Sequence, residues 1–212
     1  MLRFYGIIFL IFCFVVLLFA GATFVGHAIE FGLPDLHPNI DAGIPSGGGL
    51  TAVDFSFFAK GGKGWSYITQ GYGTTPFAYL YINHWHNGVD IAARYGAPIY
   101  SPVVNGVVVA TGNQDDYCPG EGFGKFVVVR DDTDQLVLMF AHMGTIAVSP
   151  GATVAKGAEL GTIGASGLET GTHLHFSLFK SAGFTVTPAH GCGPYPEGHD
   201  VNPLSYLGTV YN

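Results

Sequence analysis

His173-Leu174-His175-Phe176-Ser177-Leu178-Phe179 alternates polar and apolar side chains through Leu178, and a period of two belongs to a β-strand. On such a strand His173, His175 and Ser177 share one face, and Leu174, Phe176 and Leu178 share the other. The two imidazoles are then separated by roughly 6.5–7 Å of rise, so one can hold a metal while its neighbour faces water or substrate bound there. A half-buried strand with two surface histidines alternates in the same way. The chemistry therefore needs partners elsewhere in the chain.

Around this segment, short apolar runs alternate with turn residues from Trp65 onward. They predict strands at Pro98 to Tyr100, Gly106 to Ala110, Phe126 to Arg130, Leu136 to Phe140, Glu159 to Ile163 and His173 to Phe179. Asn105-Gly106, Gly112-Asn113, Asp131-Asp132, Pro150-Gly151 and Ser166-Gly167 supply the turns between them. No ten-residue amphipathic helix interrupts the series, so the strands should pair antiparallel, as a β-sandwich or partly closed barrel. Composition agrees with an all-β domain, with 32 Gly, 17 Phe and 11 Tyr in 212 residues and only 11% charged residues.

The beginning of the chain has a different character. Phe4 to Val25 carries no charge and follows Arg3, which is long enough for a transmembrane helix. Ala20-Gly21-Ala22 after the apolar core also fits a signal-peptide cleavage site. Either way, Arg3 stays inside and the chain after about residue 26 lies outside the cytoplasmic membrane, anchored to it or secreted to the periplasm or cell wall. The expected organisation is a hydrophobic N-terminal helix over residues 1–25, an extracytoplasmic linker over 26–64 containing Pro34, Pro38, Pro45 and Gly47-Gly48-Gly49, and a folded domain over 65–212. Cys118 and Cys192 form an even pair in the exported part, where a disulfide and two buried thiols both fit. A net charge of −7 without a basic stripe removes the electrostatic footprint of a nucleic-acid binder.

Two further segments join His173 and His175. His86-Asn87-Gly88-Val89-Asp90 sets an imidazole four residues before a carboxylate, with Asn-Gly between them suggesting a bend that brings both to one point. His84, two residues earlier, competes with His86 for the same role. His142 follows the apolar run Leu136 to Phe140, a place where a lone histidine is often only hydrogen-bonded. His27, His37, His190 and His199 have no partner at ligand spacing. Two imidazoles and a carboxylate suffice for a zinc site with an open position, and two imidazoles remain for proton transfer. The same donors also form the facial triad of non-haem iron oxygenases. No H-E-x-x-H helix is present to supply a glutamate base, so histidine must exchange the protons. Tyr79, Tyr81, Ser166 and Gly167 are expected to line a substrate groove.

His86-x-x-x-Asp90, then Phe140-Ala141-His142-Met143, then Gly171-Thr172-His173-Leu174-His175-Phe176 preceded by Gly164-Ala165-Ser166-Gly167, resembles the lysostaphin/LytM-type zinc peptidases that cut peptidoglycan. The similarity extends over about residues 67–207 and takes in Gln70-Gly71-Tyr72-Gly73, Gly96-Ala97-Pro98 and Val201-Asn202-Pro203-Leu204. The pattern departs at Thr74-Thr75-Pro76, where many relatives carry a basic residue. The resemblance implies a lysostaphin-type fold and one Zn2+ per chain held by His86, Asp90 and His175, with His142 and His173 as the catalytic pair facing the activated water. It further implies an endopeptidase acting on peptidoglycan peptides. The alternative is a catalytically silent wall-binding or amidase-activating module with the same fold.

Overall fold

The computed structural model describes residues 67–206, apart from 82, 189 and 190. The expected helix over 1–25, the linker over 26–64 and the two ends of the 65–212 domain lie outside the described residues. Among the described residues, no helix is long and apolar enough to cross a membrane.

Leu136 to Ala141 are all buried, so this stretch has no outward face on which to show alternation. It forms one of thirteen strands among the described residues. They are β1 (Tyr67–Gln70), β2 (Val89–Ala92), β3 (Pro98–Tyr100), β4 (Gly106–Asn113), β5 (Lys125–Asp131), β6 (Leu136–Ala141) and β7 (Met143–Ile146), followed by β8 (Thr153–Val154), β9 (Glu159–Ile163), β10 (His173–Lys180), β11 (Thr185–Pro188), β12 (Pro194–Glu197) and β13 (Asp200–Val201). Every pairing between them is antiparallel. The six strands expected from the sequence all form, and β4, β5, β6 and β10 run further than the apolar pattern indicated.

An eight-stranded sheet has the order β1-β2-β10-β6-β5-β4-β8, with β13 also paired to β10. A three-stranded sheet, β3-β9-β7, packs against it, and β11 and β12 form a separate ribbon. The principal core lies between the two larger sheets: Leu174, Phe176 and Leu178 of β10 meet Val89 and Ile91 of β2, Leu138 and Phe140 of β6, and Ile99, Leu160 and Ile163 from the smaller sheet. Phe126, Val128, Val137, Met139, Ala141 and Phe179 form a second cluster. Alternate residues of β5 and β6 thus serve two different cores, which explains their unbroken apolar sequence.

The excursion between β4 and β5 is tied to the β11–β12 region by a disulfide between Cys118 and Cys192, 74 positions apart, with Cα atoms 5.2 Å apart. Closing a loop of that length removes unfolded-state entropy worth about 4 kcal/mol on the chain-entropy account.

Phe176 is fully buried, its ring centroid 5.4 Å from that of Phe140. Phe176→Ala should therefore cost about 3–5 kcal/mol of stability. Urea unfolding checks this, and a loss below about 1 kcal/mol would contradict the placement of this side chain in the main core.

Candidate metal centre

The register of two strands builds the site. β2 and β10 pair with Asp90 opposite His175 and Ala92 opposite His173. Because Val89 and Ile91 enter the main core beside Leu174 and Phe176, parity sends Asp90, His173 and His175 to the opposite face. On the other side of β10, β6 sets Ala141 opposite His175 and ends one residue before His142. His142 has φ 57°, a left-handed conformation that turns the chain from β6 directly into β7. For a side chain with a Cβ this costs roughly 1–2 kcal/mol.

Gly88 allows the chain to enter β2 close to β10. A Cβ there would lie 2.5 Å from the Phe176 carbonyl oxygen and 2.7 Å from Ser177 Oγ. Just before it, His86 is fixed by paired backbone hydrogen bonds with Gly73, His86 N–H to the Gly73 carbonyl at 3.0 Å and the reverse at 2.8 Å.

His86 donates from Nδ1–H to the Gly71 carbonyl at 2.6 Å. A carbonyl only accepts, so Nε2 of the neutral ring turns a lone pair inward, 3.2 Å from Asp90 Oδ1 and 3.0 Å from His175 Nδ1. The His175 Nδ1 to Asp90 Oδ1 distance is 2.9 Å, and the outer nitrogen of His175 meets Ser177 Oγ at 2.8 Å. With Ser177 accepting from Nε2–H, three buried acceptor atoms face one another in a triangle. Their edges approach the roughly 3.3 Å separation of ligands on a tetrahedral zinc ion, and the donor types are those zinc takes. The residues fit the metal. Among the described residues, His86, Asp90 and His175 form a group able to hold one, with donor atoms all within 4.8 Å of one another.

Two more imidazoles border the triangle. His173 donates from Nδ1–H to the Gly171 carbonyl at 2.6 Å, leaving Nε2 3.5 Å from Asp90 Oδ1. His142 donates from Nδ1–H to the Ser166 carbonyl at 2.7 Å, and its ring centroid lies 4.7 Å from that of His173 and 5.8 Å from that of His175. Burial pushes His142 down to about 3, helped by the neighbouring His173 and His175 charges, so its ring is neutral near pH 7. Burial also lowers His175, against the pull of Asp90. For Asp90, burial alone would raise the pKa, but with no metal between them a proton on the inward nitrogen of His175 or His86 donates to Oδ1, and these hydrogen bonds and charges hold the carboxyl well below the usual carboxylate range. The triangle of three acceptors is the arrangement of the rings once those protons are given up.

Other predicted site residues have distinct places. His84 is exposed and outside the triangle. Tyr81 stacks on His86 with ring centroids 5.4 Å apart and lines a groove beside Asp90 and His173, whereas Tyr79 is 65% exposed and does not line that groove. Burial, with Asp90 nearby, pushes the Tyr81 phenol up to about 12, so it stays protonated. Ser166 uses its carbonyl to hold His142, while its Oγ donates to the Met143 carbonyl at 2.9 Å and accepts from Lys125 N–H at 2.8 Å. Gly167 donates N–H to the Asp115 carboxylate at 3.1 Å. These two residues bind the wall together from within.

Phe123 has no predicted role in the sequence, yet its ring lies 5.6 Å from that of His175 and its carbonyl accepts His142 N–H at 3.0 Å. Only the strand parity of Ser177 foreshadowed the partner of His175.

A model of Peptidase family M23 matches residues 84–188. The chain is 36% identical over 93 residues to the peptidoglycan DD-endopeptidase ShyA of Vibrio cholerae, covering 44% of this chain and 20% of that protein. It is 29% identical over 129 residues to the DD-carboxypeptidase/endopeptidase Mpg of Neisseria meningitidis, covering 58% and 28%. The chain thus spans between a fifth and three tenths of the length of these curated relatives. Among solved structures, it is similar to a mutant catalytic domain of the prophage-encoded M23 protein EnpA from Enterococcus faecalis, with 30% identity, TM-score 0.51, and coverage of 72% of this chain and 99% of that one. The catalytic domain of lysostaphin from Staphylococcus simulans shares the fold, at 21% identity and TM-score 0.52 over 68% of this chain and 93% of that one.

Ser177→Ala removes the partner of the outer His175 nitrogen without touching the triangle itself. Zinc affinity should fall about 10- to 100-fold, read by titration against a competing chelator. Unchanged affinity would show that Ser177 does not orient the ring.

Proposed function

The chain belongs to peptidase family M23, and on that basis we propose that it is an exported, zinc-dependent endopeptidase hydrolysing peptide bonds in bacterial peptidoglycan stems or cross-bridges. The observation that carries this reading is the triangle of inward-facing acceptors on His86, Asp90 and His175, bordered by two imidazoles that the triangle does not use. The peptidoglycan substrate follows from the names of the relatives, and export from the apolar stretch Phe4 to Val25 ahead of a Pro- and Gly-containing linker.

His86 Nε2, Asp90 Oδ1 and His175 Nδ1 would hold the zinc. When bound, zinc supplies Lewis-acid polarisation and brings the pKa of water in its open position towards about 7. His142 and His173 exchange the protons. Each ring is held by an Nδ1–H bond to a backbone carbonyl, so its Nε2 accepts a proton from the attacking water and afterwards returns it to the leaving amine. A protonated ring also stabilises charge on the tetrahedral oxyanion. Tyr81, kept as a phenol that donates to Gln70 Oε1 at 3.4 Å and stacked on His86, borders the groove in which the peptide would lie. A catalytically silent module has no use for two further imidazoles fixed in one tautomer beside the metal ligands.

This division of roles separates the variants. His86→Ala and His175→Ala should lose tightly bound zinc and wall hydrolysis together. His142→Ala and His173→Ala should retain stoichiometric zinc while turnover drops about 10²- to 10⁴-fold. Metal analysis paired with mass analysis of released muropeptides checks both arms. Wild-type hydrolysis by either ligand variant, or zinc loss on replacing His142, would sink the assignment.

A further inference from the structure

Gln114 begins the short 3-10 helix Gln114–Asp116 that follows β4, and it is buried, at 1% exposure, with no part in the chemistry proposed above. A buried carboxamide needs an acceptor for its N–H groups and a donor for its oxygen, and here the main chain supplies both. Oε1 accepts Phe123 N–H at 2.6 Å, and Nε2–H donates to the Pro194 carbonyl at 2.9 Å. Pro194 lies two residues after Cys192, and the Gln114 carbonyl accepts Cys118 N–H at 2.8 Å. The carboxamide thus spans, from inside, the same two segments that the Cys118–Cys192 disulfide joins.

What it holds is the run Gly122-Phe123-Gly124, and each of these residues touches the surroundings of His142. The Phe123 carbonyl accepts His142 N–H at 3.0 Å, and the Gly122 carbonyl accepts Leu168 N–H at 2.9 Å. Gly124 lies so close to Ser166 and Gly167 that a Cβ on it would run into their backbone, and the Ser166 carbonyl is the acceptor that holds the His142 ring. Gly122 and Gly124 have φ 60° and 58°, so Phe123 sits between two left-handed glycines, ahead of the first residue of β5 and outside the strand ladder. Its N–H is fixed by Gln114 instead. Movement of Phe123 would be passed to the main chain of His142, and a misplacement of about 1 Å at a proton-transfer group can cost on the order of 10²-fold in rate.

We propose that Gln114 is a positioning residue for the hydrolytic reaction: its carboxamide sets the main chain of Phe123 and through it the placement of His142. This deepens the peptidase reading and rests on it for the role of His142 alone.

The zinc-loaded full-length chain is compared with Gln114→Met, which keeps the length of the side chain but neither hydrogen bond, and with Gln114→Glu, which keeps an acceptor for Phe123 N–H. With a cross-linked muropeptide as substrate, Gln114→Met should lower kcat about 10- to 100-fold at stoichiometric zinc, with KM within about twofold of wild type. Gln114→Glu should stay within about threefold of the wild-type kcat. Amide hydrogen exchange followed by NMR needs no turnover: in Gln114→Met the His142 N–H should gain about tenfold more in rate than the Leu138 and Phe140 N–H groups of β6, whereas a general loss of stability would raise all three together. Wild-type kcat in Gln114→Met, an equal loss in Gln114→Glu, exchange that rises evenly at the three amides, or failure of Gln114→Met to fold would overturn the assignment. Absence of hydrolysis by the wild-type chain would count against the peptidase reading instead, and the exchange rates would then decide whether Gln114 places His142.

Discussion

The antiparallel pairing of β2 with β10, in the register that sets Asp90 opposite His175, is the contact on which the site depends. One face of these strands fills the core with Val89, Ile91, Leu174 and Phe176, so the other must present Asp90, His173 and His175. A slip of one residue would send the carboxylate into the core and Ile91 to the metal side, a change opposed by every apolar contact of both strands. Core packing and site geometry are thus one constraint. Gly88 is part of it, since a side chain there would press into the β10 backbone.

Outer hydrogen bonds complete what the register begins. The carbonyls of Gly71, Gly171 and Ser166 each accept an Nδ1–H, from His86, His173 and His142, while Ser177 meets the outer nitrogen of His175. Each bond fixes a ring's orientation and decides which nitrogen is free. Three of these partners are main-chain atoms in loops, so the loops must themselves be held. Ser166 is bound to Met143 and Lys125, Gly167 to Asp115, and the segment containing Asp115 is tied by the Cys118–Cys192 disulfide. The left-handed backbone at His142 is a local cost that this scaffold sustains.

Much of the fold was legible because β10 alternates and β4, β5, β6 and β9 are bounded by turn residues. The extra length of β6 and its burial on both faces were not, because a continuous apolar run does not reveal that two cores share it. β7 is hidden in the sequence because a single residue separates it from β6, a left-handed histidine rather than a Gly or Pro turn. β11 and β12 are short and include Pro188, Pro194 and Pro196, which disguise them as loop. At the site, the Asn87-Gly88 bend and the shared face of His173 and His175 could be read locally. The Gly71 carbonyl and Phe123 could not, because each acquires meaning only through the tertiary structure.

Four imidazoles and one carboxylate divide into three donors that face one another and two rings that stand beside them. X-ray absorption spectroscopy at the zinc edge of the metal-loaded full-length chain tests this division most directly. The account predicts a shell of nitrogen and oxygen at about 2.0–2.1 Å containing two imidazoles and no sulfur. Three or four imidazoles would place His142 or His173 on the metal and contradict the division, and fewer than two would contradict the triangle itself.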